Sequence, residues 1–123
     1  MGILKERVII ITGATSGMGK AMAILFNQKG AKLVLSGRDE QRGKKLITEL
    51  NEKNVQFIKG DISNPKTNEK LVNVALEKYG KLDTIVANAG MLGLGDVVSL
   101  SNDKWHETID TNLSALFYLS KYA

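Results

Sequence analysis

Three glycines close a run of β-branched residues near the start of the chain. Val8-Ile9-Ile10-Ile11-Thr12 leads into Gly13, Gly17 and Gly19, spaced Gly-x-x-x-Gly-x-Gly, and a helical pattern begins at Gly17. A buried strand that turns tightly into a helix leaves the first N–H groups of that helix unpaired. The positive end of the helix dipole points the same way. Such a turn suits an anionic ligand, a phosphate above all. Glycines after a strand also serve turns that bind nothing, so the choice of ligand depends on what shares the rim. Gly37-Arg38, Gly60-Asp61 and Asn88-Ala89-Gly90 are the other clusters of this kind. Arg38 offers a permanent cation, Asp61 an acceptor, and Asn88 an amide that both donates and accepts.

Each cluster needs an element to carry it, and the hydrophobic pattern supplies one. Residues 7–12, 31–36, 55–59 and 82–87 read as strands, the first an unbroken apolar run suited to burial on both faces. Residues 17–29 carry a helical stripe of Met18, Ala21, Met22, Ile24, Leu25 and Phe26, stopped at Gly30. Residues 40–53 form a charged amphipathic helix with Asp39 as its cap and Leu46, Ile47 and Leu50 inward. Asn64-Pro65 opens a helix that runs to about Tyr79 and stops at Gly80. A glycine-rich loop with Gly93 and Gly95 precedes a last helix, starting at Asn102 or Asp103, with apolar positions at Trp105, Ile109, Leu113, Leu116, Phe117 and Leu119. Strands alternating with helices predict an α/β fold with a doubly wound parallel sheet and right-handed crossovers. Ligands of such folds bind beyond the carboxyl ends of the strands, where all four clusters fall.

Composition narrows the chemistry. The chain has 123 residues, 43% of them hydrophobic, a size that suits one globular unit. It has no cysteine and one histidine, His106, so disulfides, thiolate metal sites and histidine-rich metal sites are excluded. The net charge of +4 is spread along the chain among acidic residues, with no arginine-rich run, so no nucleic-acid partner is expected. No apolar run approaches a membrane span and no signal-peptide core is visible, so no membrane partner and a cytoplasmic location are expected.

Gly19-Lys20 invites comparison with a phosphate loop, Gly-x-x-x-x-Gly-Lys-[Ser/Thr]. Ala14 stands at the first glycine of that pattern, and Ala21 lacks the hydroxyl that would ligate magnesium. The whole set of clusters instead resembles the short-chain dehydrogenase/reductase family. The shared features are Thr12-Gly13-x-x-x-Gly17-x-Gly19, Asp61-Ile62, Asn88-Ala89-Gly90 and Asn112 in Thr111-Asn112-Leu113. Ala87 departs from a frequent asparagine before Asn88. The resemblance implies a Rossmann-type sheet in the order 3-2-1-4, with residues 1–123 as the dinucleotide-binding, N-terminal half of an oxidoreductase. It assigns Gly13, Thr15, Ser16, Gly17, Met18 and Gly19 to the cofactor's pyrophosphate and its surroundings. It gives Asp61 and Ile62 to the adenine, and Asn88, Ala89 and Gly90 to the ribose and nicotinamide side. Asn88 would also tie the central strands together, and Asn112 would be the catalytic helix asparagine. An NAD enzyme of this type carries a carboxylate at the end of the second strand, where this chain has Gly37 and then Arg38. A 2′-phosphate needs a cation there, so NADP(H) is expected over NAD(H).

The same resemblance calls for a serine and a Tyr-x-x-x-Lys that hold and protonate a carbonyl or alcohol substrate. Tyr118 and Lys121 are one residue too close, and no other pair fits. Hydride transfer is therefore expected only of a longer form, and this chain alone is expected to be inactive. The fourth strand and the last helix would lack neighbours, so self-association is expected. Two other readings stay open: a non-catalytic dinucleotide-binding module, and a phosphate-loop nucleotide-binding protein.

Overall fold

The computed structural model describes residues 2–123. Its elements are β1 (Val8–Ile11), α1 (Gly17–Gln28), β2 (Lys32–Gly37), α2 (Glu40–Thr48), a short 3-10 turn (Glu52–Asn54), β3 (Val55–Lys59), α3 (Pro65–Tyr79), β4 (Thr84–Val86), α4 (Asn102–Ile109), a wide π turn (Asp110–Ser114) and α5 (Ala115–Tyr122). The strands form one parallel sheet in the order β3-β2-β1-β4. In register, Ile10 sits between Val34 and Ile85.

Successive side chains of a strand point to opposite faces, so the all-apolar β1 must be covered twice. Val8, Ile10 and Val34 pack against Leu71, Val72 and Ala75 of α3 and Ala115 and Leu119 of α5. Ile9, Ile11, Leu33 and Leu35 pack on the other face against Ala23 of α1 and Leu46 of α2. Fully burying each of the Val, Leu and Ile side chains contributes about 1.5–3 kcal/mol. That two-sided core is what holds the strand ends in one line.

Helix boundaries follow local chemistry. Asp39 caps α2, accepting from the Arg42 amide at 3.1 Å. Asn64 caps α3 in front of Pro65, accepting from the Lys66 amide at 3.0 Å. Gly80 ends α3 in a left-handed conformation, φ 77°, and its N–H bonds to Leu76 O at 2.9 Å.

β1, α1 and β2 differ from the sequence expectation by one residue at one or both ends, and three other elements differ by more. The helix expected over 40–53 stops at Thr48. Thr48 Oγ1 turns back onto Lys45 O at 2.6 Å, and the Asn51 amide is taken by Asn27 Oδ1 of α1 at 3.0 Å. The strand expected over 82–87 keeps only Thr84–Val86. The Asn88 amide bonds back to Val86 O at 2.9 Å, a three-residue turn that leaves the ladder. The last helix starts at Asn102, capped by Ser101, and is broken by the π turn over 110–114. Of its expected apolar positions only Leu119 is buried, while Trp105, Leu113, Leu116 and Phe117 are exposed. Among the described residues no helix is long and apolar enough to cross a membrane.

Candidate functional site

A cleft of about 420 Å³ runs along the carboxyl ends of the strands. Gly13, Thr15, Ser16, Gly17 and Met18 line it from the turn after β1, and Arg38 lines it from the end of β2. Asp61 and Ile62 line it from the turn after β3, and Asn88, Ala89 and Gly90 from the segment after β4. Residues far apart in sequence thus share one wall. Gly19 and Asn112 are not on that wall. Gly19 lies buried behind the turn, and Asn112 borders a small adjoining hollow with Thr12, Ala87 and Leu116.

The turn after β1 and the segment after β4 are locked together by side chains. Thr12 Oγ1 accepts from the Ala89 amide at 3.0 Å, and Asn88 Nδ2 donates to Gly13 O at 3.2 Å. The backbones approach so closely that side chains would not fit. Gly13 has φ 63°, and a Cβ there would lie 2.9 Å from Ala89 Cα. A Cβ on Gly19 would run into the Gly13 carbonyl and lie 2.6 Å from Asn88 Nδ2. Gly17, with φ 55°, has open space where a side chain would go, on the cleft side of the turn. Gly13 and Gly17 thus leave backbone bare at the N-terminus of α1, between the side chains of Thr15, Ser16 and Met18 that also line the cleft.

Charge is concentrated at the β2 end. Arg38 is exposed and makes no ion pair among the described residues. Arg42 also lines the cleft, with its Nε 3.5 Å from Asp39 Oδ2. Gly37 presents no side chain, and a Cβ there would lie 2.8 Å from Thr15 Cγ2. In the turn after β3, Asp61 Oδ1 accepts from the Ser63 amide at 2.9 Å and the Ser63 hydroxyl at 2.8 Å. The Ser63 amide, then its hydroxyl and the nearby Arg38 charge, hold the Asp61 carboxyl below the usual carboxylate range.

Arg42 also lines the site, and sequence reasoning did not single it out; Thr12, Met91 and Thr111 take part as well. Arg42 was legible as a basic residue in the first turn of α2, the same helix end that follows Arg38. Met91 is held from outside the cleft, its amide donating to Asn112 Oδ1 and its carbonyl accepting from Asn112 Nδ2. Asn112 itself sits in the π turn, a backbone irregularity frequent at functional sites. None of the tyrosines lines the cleft. Tyr79 is half-buried, and burial pushes its phenol up, opposite to what a proton-exchanging tyrosine requires.

A sequence model of the short chain dehydrogenases matches residues 7–123. The chain belongs to the short-chain dehydrogenase family. It is 42% identical over 115 residues to an uncharacterized oxidoreductase of Listeria monocytogenes, covering 92% of this chain and 46% of that one. It is 40% identical over 121 residues to a 3beta-hydroxysteroid dehydrogenase of Mediterraneibacter gnavus, covering 96% and 44%. Among solved structures, a short-chain dehydrogenase/reductase of Brucella melitensis, described as a glucose/ribitol dehydrogenase, superposes with TM-score 0.94 at 34% identity. That match covers 100% of this chain and 53% of the other. A family member of unknown function from Caenorhabditis elegans, solved with its cofactor, superposes with TM-score 0.87 at 29% identity, covering 96% and 47%. The chain spans about half the length of the curated relatives it matches.

Proposed function

We propose that this short-chain dehydrogenase chain binds a nicotinamide dinucleotide in the cleft, and NADP(H) in preference to NAD(H). The observation that carries the reading is the pairing of a side-chain-free turn at Gly13 and Gly17 with two guanidinium groups, Arg38 and Arg42, on one wall. The backbone N–H groups at the start of α1 suit a pyrophosphate. Arg38 suits the 2′-phosphate, because a guanidinium meets a phosphate with parallel N–H bonds. A carboxylate at position 37, which would serve a free 2′-hydroxyl, is missing and would crowd Thr15. Asp61 and Ile62 suit the adenine, with the carboxylate as acceptor for its amino group. Asn88, Ala89 and Gly90 border the ribose and nicotinamide side.

When bound, the dinucleotide supplies hydride exchange with a carbonyl or alcohol. In this proposal the residues of this chain bind and orient it. Asn112 acts at the edge of the reaction site by holding Met91. The 123 residues contain no Tyr-x-x-x-Lys, the pair to which the family resemblance gives a general acid–base role worth ~10²–10⁴-fold. We expect it to bind cofactor without reducing carbonyls, and to act as an oxidoreductase only in a longer form. We also propose that it self-associates, since β4 is an edge strand and the π turn and α5 expose Leu113 and Phe117. A cytoplasmic location is part of the same reading.

The test is titration of the wild-type chain and Arg38→Ala with NADPH and NADH, followed by cofactor fluorescence. Arg38→Ala should weaken NADPH by roughly 10–100-fold, the scale of a charge-assisted hydrogen bond, and leave NADH nearly unchanged. Equal losses for both cofactors would sink the NADP(H) assignment.

A further inference from the structure

Asn68 is a polar residue with no exposed surface, on the inner side of α3. Leu71, Val72 and Ala75 follow it on the same buried side. An apolar residue would fill that space without a polar group to satisfy. Asn68 instead spends both N–H groups of its amide on the loop that precedes its own helix. Nδ2 donates to Ile62 O at 2.8 Å and to Asn64 O at 3.1 Å. Its Oδ1, also buried, finds no donor among the described residues. An unpaired buried acceptor is unfavourable, so core packing gives no reason for asparagine at this position. The two donated bonds do.

The loop held in this way carries a wall of the cleft. Ile62 lines it directly, and Asp61 stands beside it. Asp61 Oδ1 is committed to Ser63, and Asp61 O accepts from the Asn64 amide at 3.0 Å. The whole turn from Asp61 to Asn64 is therefore a closed set of hydrogen bonds. Asn68 is its only side-chain anchor from α3 among the described hydrogen bonds. The second carboxylate oxygen of Asp61 is left for an outside donor, in a direction set by that turn.

We propose that Asn68 is a positioning residue for the adenine half of the site: through Ile62 O and Asn64 O it fixes where the Asp61 carboxylate meets the adenine amino group. This rests on the dinucleotide reading above. Asn68 touches no ligand itself, and its effect is read as base discrimination.

The experiment compares NADPH with its hypoxanthine analogue, which lacks the 6-amino group, in the wild-type chain, Asn68→Leu and Asn68→Ala. Leucine keeps the branching and heavy-atom count of asparagine, and the smaller alanine serves if leucine does not fold; thermal melts establish folding for each. The wild type should bind NADPH roughly tenfold more tightly than the analogue, the scale of a hydrogen bond to a charged group. In the Asn68 variants that ratio should fall toward one, while affinity for the analogue changes little. A purely structural role would weaken both ligands together and keep the ratio. A ratio that survives in a folded variant overturns the proposal, and so does a wild type that binds NADPH without discriminating. Failure of the wild type to bind NADPH at all overturns the dinucleotide reading itself.

Discussion

Asn112 is bound through both ends of its side-chain amide to a single residue, Met91, with Oδ1 accepting from Met91 N at 2.9 Å and Nδ2 donating to Met91 O at 2.7 Å. The side chain stands in for a neighbouring strand just beyond the segment after β4. It ties the cleft wall to the π turn, 21 residues later. Asn112→Leu should therefore free Met91 with little effect on global stability, about 1 kcal/mol or less, because both bonds are exposed. Amide hydrogen exchange should rise at Met91 while the amides of β1 stay protected. Unchanged exchange at Met91 would mean that the loop is held by something else.

The behaviour of Gly19 separates a packing requirement from a propensity. Alanine in a helix is normally favoured over glycine by about 0.5–1 kcal/mol. At Gly19 the added methyl would meet the Gly13 carbonyl and the Asn88 amide, which are hydrogen-bonded to each other. Gly19→Ala should therefore destabilise the chain by about 1–3 kcal/mol, the range for overpacking. It should also displace Asn88 from Gly13. Gly17→Ala meets no atom within 4 Å, so only its φ of 55° opposes the change, and about 1–2 kcal/mol is expected. Thermal denaturation of the two variants side by side checks the order.

The elements that sequence made legible are those whose limits are set by the chain's own local chemistry. β3 and α3 have the expected bounds because Val55, Asn64-Pro65 and Gly80 act through their own backbone geometry. The sheet order matches the one that the family resemblance implies. What sequence could not show depends on partners distant in the chain. Asn27 ends α2 early by taking the Asn51 amide, and no pattern within residues 40–53 records that. Asn68 looked like any polar residue on a helix, and only its burial and its bonds to Ile62 and Asn64 set it apart. Arg42 is one of several basic residues in a charged helix until the fold sets it on the cleft.

Arg42 and Arg38 should contribute unequally. The Arg42 guanidinium is already shared with Asp39, at 3.5 Å, whereas Arg38 is unpaired among the described residues. Arg42→Ala should weaken NADPH by a few-fold, less than Arg38→Ala does. Asp39→Asn should narrow the gap, by releasing the Arg42 charge toward the cleft. The measurement is the NADPH dissociation constant at two salt concentrations, since surface charge terms shrink with salt. Equal effects of the two arginines would argue for a different placement of the 2′-phosphate.

The self-association proposed above has a matching surface on the last helical segment. Leu113 and Phe117 are each 62% exposed on successive turns of the last helical segment. Phe117→Glu should shift the chain toward monomer in sedimentation velocity without altering its far-ultraviolet spectrum, because the side chain contributes little to the core. A wild type that sediments as a monomer overturns the proposal; if it associates and Phe117→Glu leaves that unchanged, Thr84→Lys at the β4 edge should disrupt it.

Acid should unfasten β4 from β1 through Asp83. Its Oδ2 accepts from the Val8 amide at 2.8 Å and lies 3.0 Å from Lys81 Nζ, while Oδ1 is 3.8 Å from Arg7. The Val8 amide, then the Lys81 ammonium, and last the Arg7 charge hold the carboxyl below the usual carboxylate range. A carboxyl whose pKa is lower in the folded than in the unfolded chain binds fewer protons when folded. The stability it contributes is complete above the unfolded value, about 3.9, and is lost as pH falls through the folded one. The melting temperature of the wild type should thus fall steeply below about pH 4. Asp83→Asn keeps an acceptor for Val8 but has no charge to lose. It should melt lower than the wild type at neutral pH and fall less steeply in acid, so that the two curves converge. Asp61, held low by Ser63, keeps its own share of the acid dependence in both proteins, so the variant's curve should slope without becoming flat. Parallel curves across that range would show that Asp83 ties β4 to β1 by its hydrogen bond alone, with no contribution from its charge.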